Sequence, residues 1–326
     1  MEAATVESAA VRGFNALRQL DPATYVVYLA FLGLLVFFAV TLHDDGFTSE
    51  QNLLNILQQA APIAIMAVAF TFTLSAGELD LSIGAVVALA ALVAAKVMAD
   101  AGPVLGVLAG VGVGVAVGTL NGFFVTVLAL PSFLVTLASM GLIQGLAQTV
   151  TDLQSVAITH EGFNNVFGSA DLLGVPSLIW WMVCITAVGY FVFRHMRFGA
   201  HVVATGDNEE AARAAGINTR RVKFAVLLVS ALGAALAGLL YAGRLHGARY
   251  TLGSTDLLTV IAAVVLGGTS LFGGKGRVVG ALLGSVILAM LNNGLILAGL
   301  TVSEQLIARG GLLLLAITAT MRGRQR

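Results

Sequence analysis

Charge is scarce in this sequence. Of 326 residues only 10% are Asp, Glu, Lys or Arg and 58% are hydrophobic, where a soluble protein carries about 25% charged residues. A mean hydropathy of +0.94 leaves too few polar side chains to cover the two soluble domains that this length would otherwise suggest. The shortage excludes a water-soluble fold and makes the bilayer the solvent. Cysteine is nearly absent: Cys184 stands alone in the run SLIWWMVCITAVGYFVF, which excludes an intrachain disulfide and a cysteine metal cluster, and it is expected to serve packing. Net charge is absent as well, since 17 basic residues balance 17 acidic ones, so no global field calls for nucleic acid. Catalytic motifs are missing too. GGTSLFGGKGRV fails as a P-loop because Thr269 stands where the first glycine is needed and Gly276 follows Lys275. The histidines have no metal-ligand spacing, and there is no GxSxG nucleophile. The chain is expected not to be an enzyme and to hold no metal or cofactor.

What is present is a series of apolar runs, uncharged except for Lys96 in the third and Arg309 in the tenth. A bilayer core about 30 Å thick takes about 20 helical residues, and ten runs qualify: Tyr25–Leu42, Gln59–Leu74, Leu81–Ala99, Pro103–Leu120, Phe133–Val150, Ser177–Phe193, Phe224–Ala242, Leu257–Gly268, Val279–Ala298 and Gln305–Met321. The first is expected to be a retained span, not a cleavable signal, because acidic residues precede it and no small-x-small site follows. Between Ala101 and Thr151 the chain is uncharged throughout, and Asn121-Gly122 and Pro131-Ser132 are expected to mark its turn. The fold class is therefore an all-α polytopic membrane protein of ten helices.

Lys and Arg mark cytoplasmic loops. They gather before the first run (Arg12, Arg18), in the loop 194–223, at Lys275 and Arg277, and in the tail (Arg322, Arg324, Arg326). The loops 43–58 and 151–176 hold acidic residues and no Lys or Arg, as the outer face requires; Arg244 and Arg249 are the exceptions. Ten spans with both termini cytoplasmic satisfy this pattern. The organisation is a cytoplasmic segment 1–24, a transmembrane domain 25–321 carrying the loop 194–223, and a cytoplasmic tail 322–326. Lys96 and Arg309 fall near outer span ends and are expected to snorkel.

Two features recur in order. LSAGELDLSIGAVVALAALVA (74–94) is similar to VLGGTSLFGGKGRVVGALLGSVI (265–287), and the glycine ladder 102, 106, 110, 114, 118, 122 ending in Asn121-Gly122 is matched by Gly276, Gly280, Gly284 and Asn293-Gly294. Spans two and eight would cross in the same direction, so the expectation is a parallel internal repeat. The ladder argues for tight helix crossing, within the chain or between protomers.

An ionisable residue at a helix centre in a membrane costs at least about 2.5–3.5 kcal/mol. Glu78 and Asp80 in SAGELDLSIG are therefore the first candidates for chemistry. Two readings stand: a broken helix at the translocation pathway, fixed by Asp80 and Ser82, or a tight cytoplasmic turn in which either residue caps span three. The pathway candidates are Asp80, Ser82, Asn121, Ser132 and Asn293. In the loop, GDNEEAARAAGIN reads as a short amphipathic helix with Asn208 as N-cap, Glu209 and Glu210 in its first turn and Gly216 closing it. A helix this short is marginal alone, so a partner protein, or the chain's own helix ends, must hold it.

AGELDLSIG, NGFFVTVLALPSFLVTLASM, FGAHVVATGDNEEAARAAGIN and VVLGGTSLFGGKGRVVGALLGSVI, in this order, resemble the permease subunits of bacterial ribose-type ABC importers from about residue 50 onward. The resemblance implies an inner-membrane permease that acts as a dimer, homodimeric or with a related chain. A cytoplasmic ATPase would bind ATP, and a periplasmic sugar-binding protein would deliver a monosaccharide or related small polar solute. Gly206, Asp207, Asn208, Glu209, Glu210, Arg213 and Gly216 would form the ATPase coupling helix. Where the family commonly reads Gly-Gly-Ile-Asp-Leu-Ser, this chain has Ala76-Gly77-Glu78-Leu79-Asp80-Leu81-Ser82; Asp80 and Ser82 match and Glu78 is an added charge. The alternatives are a sister permease for nucleosides or branched-chain amino acids, and an ion-coupled transporter using Glu78 and Asp80.

Overall fold

The computed structural model describes residues 22–301, 303–308 and 310–311. The segment 1–21, the tail and most of the tenth run, with Arg309, lie outside the described residues. Twelve helices are described from Pro22 to Leu297: α1 Pro22–Thr41, α2 Glu50–Ser75, α3 Ile83–Ala101, α4 Pro103–Thr126, α5 Ser132–Thr149, α6 Glu161–Asn164, α7 Ser177–His195, α8 Arg197–Asp207, α9 Glu209–Ala214, α10 Thr219–Leu245, α11 Asp256–Leu266 and α12 Val278–Leu297. Proline opens four of them. Pro22 and Pro103 are first helical residues and Pro131 and Pro176 are N-caps, positions where a missing N–H costs nothing.

Each of the first nine runs falls on a helix. Six helices, α2, α3, α4, α7, α10 and α12, are long and apolar enough to cross a membrane. The chain is polytopic and predominantly helical. One boundary moves: the Asn121-Gly122 turn lies inside α4. Gly122 packs against the Phe224 ring, which a Cβ would approach to 2.6 Å, and Asn121 points its amide at Ser82, so neither has reason to break the helix. The break comes at 127–131, where Ala129 takes φ 55°.

α2, α3 and α10 form the centre, with α4 and α7 outside them. The ladder explains the close contact: at Gly106, Gly110, Gly114 and Gly118 a Cβ would come within 2.8–2.9 Å of atoms of α3 or α10. The tight crossing is thus made within the chain. The other face of α4 leaves Val104, Leu105, Leu108 and Phe123 exposed, an apolar surface suited to lipid and not to water. Cys184 is also exposed on α7, which corrects its expected place in the packing. The α11–α12 crossing is tighter still, since a Cβ at Gly280 would meet the Gly267 carbonyl oxygen at 1.9 Å and one at Gly284 the Ala263 oxygen at 2.1 Å. Gly280→Val is expected to push α11 from α12 and cost about 1–3 kcal/mol by overpacking. A thermal midpoint equal to wild type in purified protein would refute this.

The loops segregate to two ends. β1 Val156–Ala157 pairs with β4 Gly247–Ala248, and Arg244 Nη2 donates to Asn55 Oδ1 at 3.1 Å, so 43–58, 151–176 and 246–248 share one end, from which the chain runs inward to Gly253, packed on Gly84. Arg244 and Arg249 belong to that end despite their charge. β2 Asp171–Leu172 and β3 Val175–Pro176 close a hairpin there through Leu173 and Gly174, both with positive φ, as a tight turn requires. Lys96 reaches the Val150 carbonyl at 2.7 Å, an end-of-helix placement. The segments 76–82, 197–218 and 267–277 share the opposite end, where the Gly274 N–H donates to the Ser75 carbonyl at 3.1 Å.

Candidate functional site

Register along α10 locates the break between α2 and α3. Gly233 faces Ala69, and Thr73 donates to the Val226 carbonyl, so α2 descends beside α10 toward its N-terminus. At that end Glu78 Oε1 lies 2.7 Å from Lys223 Nζ. The chain then climbs back: Asp80 sits beside Ser230, and Gly238 packs against Val87. Seven residues of helix separate Lys223 from Ser230, a rise of about 10 Å. Residues 76–82 are therefore a re-entrant segment, the non-helical stretch where the chain doubles back from α2 into α3, largely enclosed by protein.

The segment's polar groups are met by side chains from three helices. Asp80, Ser82 and Asn121 are completely buried and Ser132 nearly so. Asp80 Oδ1 accepts from the Ser82 N–H at 2.9 Å and the Ser82 hydroxyl at 2.6 Å. Asn121 Nδ2 of α4 donates to Ser82 Oγ at 3.0 Å. From α5, Ser132 Oγ accepts the Leu79 N–H at 3.1 Å, and Thr136 Oγ1 accepts the Leu81 N–H at 3.0 Å and donates toward the Leu79 carbonyl. Ser82 is the N-cap of α3 but its hydroxyl caps no helix N–H, because it is committed to Asp80.

The accounting leaves a remainder. Asp80 Oδ2, Asn121 Oδ1 and Ser230 Oγ are buried without a hydrogen-bond partner; Ser230 is near enough to feel the carboxylate but outside hydrogen-bond geometry. A buried acceptor left unmatched is costly. Four of the five pathway candidates, Asp80, Ser82, Asn121 and Ser132, thus form one cluster. Asn293 does not join it: at the other end of the bundle it exchanges amide hydrogen bonds with Asn52 at 3.0 and 2.8 Å. Thr136 and Ser230 were missed. Thr136 carries a signal, since Ser132 and Thr136 stand four apart and share a helix face; a lone serine among the alanines of α10 carries none.

The segment 197–216 folds as two helices, of which α8 was not foreseen. Asn208 caps α9, its Oδ1 accepting the Ala211 N–H at 3.0 Å, and Gly216 follows with φ 86°. α9 is held by its own chain: Ala212 is buried, Glu209 pairs with Arg213 and with Lys223, the latter at 2.8 Å, and Arg213 Nε donates to Thr219 at 2.9 Å. Burial works to raise the Glu209 carboxyl, but the hydrogen bond and charge of Lys223, with Arg213, outweigh it and hold the group below the ordinary glutamate range. Such a pair contributes above that range and is lost only as pH falls through the lowered value, so it stands at neutral pH. Asp207, Asn208, Glu210 and Arg213 remain exposed. Gly206 is instead a contact point, where a Cβ would lie 2.0 Å from the Ser75 carbonyl oxygen.

Among the described residues no three His, Cys, Asp or Glu are grouped to hold a metal ion. A cavity of about 940 Å³ opens beside Arg194, His195 and Arg197, but it is lined by none of the pathway candidates.

Long apolar helices, a re-entrant polar segment and a short helix tethered at one end of the bundle are features that suit a membrane transport subunit. The family described as branched-chain amino acid transport system / permease component matches residues 52–317. The chain belongs to that family; it is a multi-pass permease of the inner membrane and not an enzyme. It is 40% identical over 291 residues to the ribose import permease of Bacillus subtilis, covering 88% of this chain and 90% of that one. It is 38% identical to the ribose import permease of Escherichia coli K12, covering 88% and 91%, and 30% identical to the xylose transport system permease of the same strain, covering 94% and 93%. No solved structure matches significantly.

Proposed function

We propose that the chain is the membrane channel of an ATP-binding cassette importer for a monosaccharide of the ribose type. The observation that carries the substrate class is the 40% identity over nearly the whole chain to a ribose import permease, seconded by the xylose permease; it favours sugars over branched-chain amino acids and nucleosides. On this reading ATP is bound by a cytoplasmic ATPase that docks on α9 through Asp207, Asn208, Glu210 and Arg213, with Gly206, Glu209 and Gly216 setting the helix in place. A periplasmic binding protein delivers the sugar, and a second permease protomer completes the channel.

The substrate pathway on this reading passes the re-entrant segment, with Asp80, Ser82, Asn121 and Ser132 at its inner part and Asn293 at its outer part. Alternating access would uncover the Asp80 carboxylate, whose unmatched oxygen can accept a sugar hydroxyl. We further assign ten crossings with cytoplasmic segments at 1–24 and 322–326 around the domain 25–321. The meeting of the two breaks, 76–82 and 267–277, through Gly274 and Ser75 supports a parallel repeat.

Proteoliposomes holding the permease with its ATPase and binding protein are expected to take up radiolabelled ribose or xylose only when ATP is supplied. Uptake by the permease alone, driven by an ion gradient, would overturn this reading in favour of an ion-coupled transporter.

A further inference from the structure

Glu78 is the charge of the re-entrant segment that the Asp80 network does not use. It is buried, 6% exposed, yet nothing local calls for a carboxylate there, since its backbone N–H is met by the Thr73 carbonyl whatever the side chain. Its partner comes from outside the segment: Oε1 lies 2.7 Å from Lys223 Nζ, and the same Nζ lies 2.8 Å from Glu209 Oε2. One ammonium with three donors can serve both carboxylates. They come from different elements: Glu78 stands two residues before Asp80, and Glu209 is the first residue of α9. Lys223 belongs to α10, the long central helix against which α2, α3 and α4 pack.

We propose that Glu78, Lys223 and Glu209 form an ionic strut that couples displacement of helix α9 to the re-entrant segment, making Lys223 a positioning residue of transport. The proposal rests on reading α9 as the ATPase-docking helix. Exposed ion pairs contribute little stability, but this one is enclosed at Glu78 and ties α9 to the re-entrant segment by charge, beside the packing of Ala76 with Val202 and of Gly206 on Ser75. Displacing α9 either breaks the Lys223–Glu209 contact or carries the Glu78 side of the node with it. By reciprocity, a change at the segment is felt at α9.

The test uses the complete complex in proteoliposomes, with uptake of radiolabelled ribose and ATP hydrolysis measured together. Lys223→Met keeps the length of the side chain and removes both contacts; Glu78→Gln leaves the Lys223–Glu209 pair in place and takes the charge out of the link to the segment, leaving at most a neutral hydrogen bond. In both, the ATPase is expected to co-purify and hydrolyse ATP, while uptake per ATP hydrolysed falls about tenfold, the middle of the usual range of coupling between sites. Lys223→Arg, which can still bridge two carboxylates, is expected to restore most of the ratio. A purely structural lysine would lower protein yield and thermal midpoint and leave the ratio untouched. An unchanged ratio in Glu78→Gln overturns the strut, and that variant decides the matter if Lys223→Met does not fold. If the wild-type complex shows no ATP-driven uptake, the functional reading fails first and the strut with it.

Discussion

Asp80→Asn is expected to lower ATP-driven uptake by about ten- to a hundredfold, the equivalent of losing one hydrogen bond to a charged group worth about 1.5–3 kcal/mol. The substitution preserves shape and can preserve the acceptor that meets the Ser82 N–H and hydroxyl at 2.9 and 2.6 Å, so the local turn survives. It replaces the free oxygen, buried beside Ser230 without a hydrogen bond, by an amide that cannot accept a sugar hydroxyl. If Asp80 served only to shape the entry to α3, asparagine would do nearly as well. Initial rates of labelled ribose uptake, alongside the thermal midpoint of the purified permease, separate the two. Wild-type uptake by Asp80→Asn would remove Asp80 from the pathway and leave it a turn residue.

The second large effect concerns docking. Replacing Glu209, Glu210 and Arg213 together by alanine is expected to abolish co-purification of the ATPase and reduce uptake to background. A few residues carry most of the energy of such an interface, and this change removes two of the exposed docking residues, Glu210 and Arg213, together with the Glu209 contacts that set the helix in place. The helical turn itself should persist. Alanine is the best helix former, and the Asn208 cap, the buried Ala212 and the turn at Gly216 are all retained. The outcome differs from that of Lys223→Met, which leaves the exposed docking charges intact and separates hydrolysis from transport. Retained ATPase binding and retained binding-protein stimulation of hydrolysis in the triple variant would exclude α9 as the docking helix.

Much of the architecture was legible because a bilayer makes sequence simple to read. Long uncharged runs and the loops between them placed nine helices, and charge placed the loops at their two ends. What could not be read was where the helices break off. The eighth run falls on α11, which has only 11 residues, about 16 Å at helical rise, so the chain there is not helical along its whole path. The helix starts beside α3, where Gly253 packs against Gly84 and Val87. Composition reports whether a segment is apolar, not how deep it begins. The cluster around Asp80 was legible in its members and not in its bonds: Ser132 and Asn121 were noticed as turn markers, whereas one meets a backbone N–H of the segment and the other braces Ser82 from inside α4. Glu78 was legible only as an added charge. Its meaning depends on Lys223 and Glu209, which no local pattern ties to it.

Beside large residues such as Met66, Phe70 and Leu92, the centre of the bundle holds many small side chains. Ala60, Ala64, Ala67, Ala90, Ala91, Ala94, Ala234 and Ala235 are buried to within 1%, and glycines bring the neighbouring backbones close. Large interdigitating side chains would lock two helices in axial position, because sliding would require each to leave its rotamer. Alanine and glycine surfaces offer only shallow ridges. They fix how far apart two helices lie but oppose lengthwise slip weakly, so where such surfaces face each other, as along the glycine ladder of α4, shear along the helix axes is the softer direction.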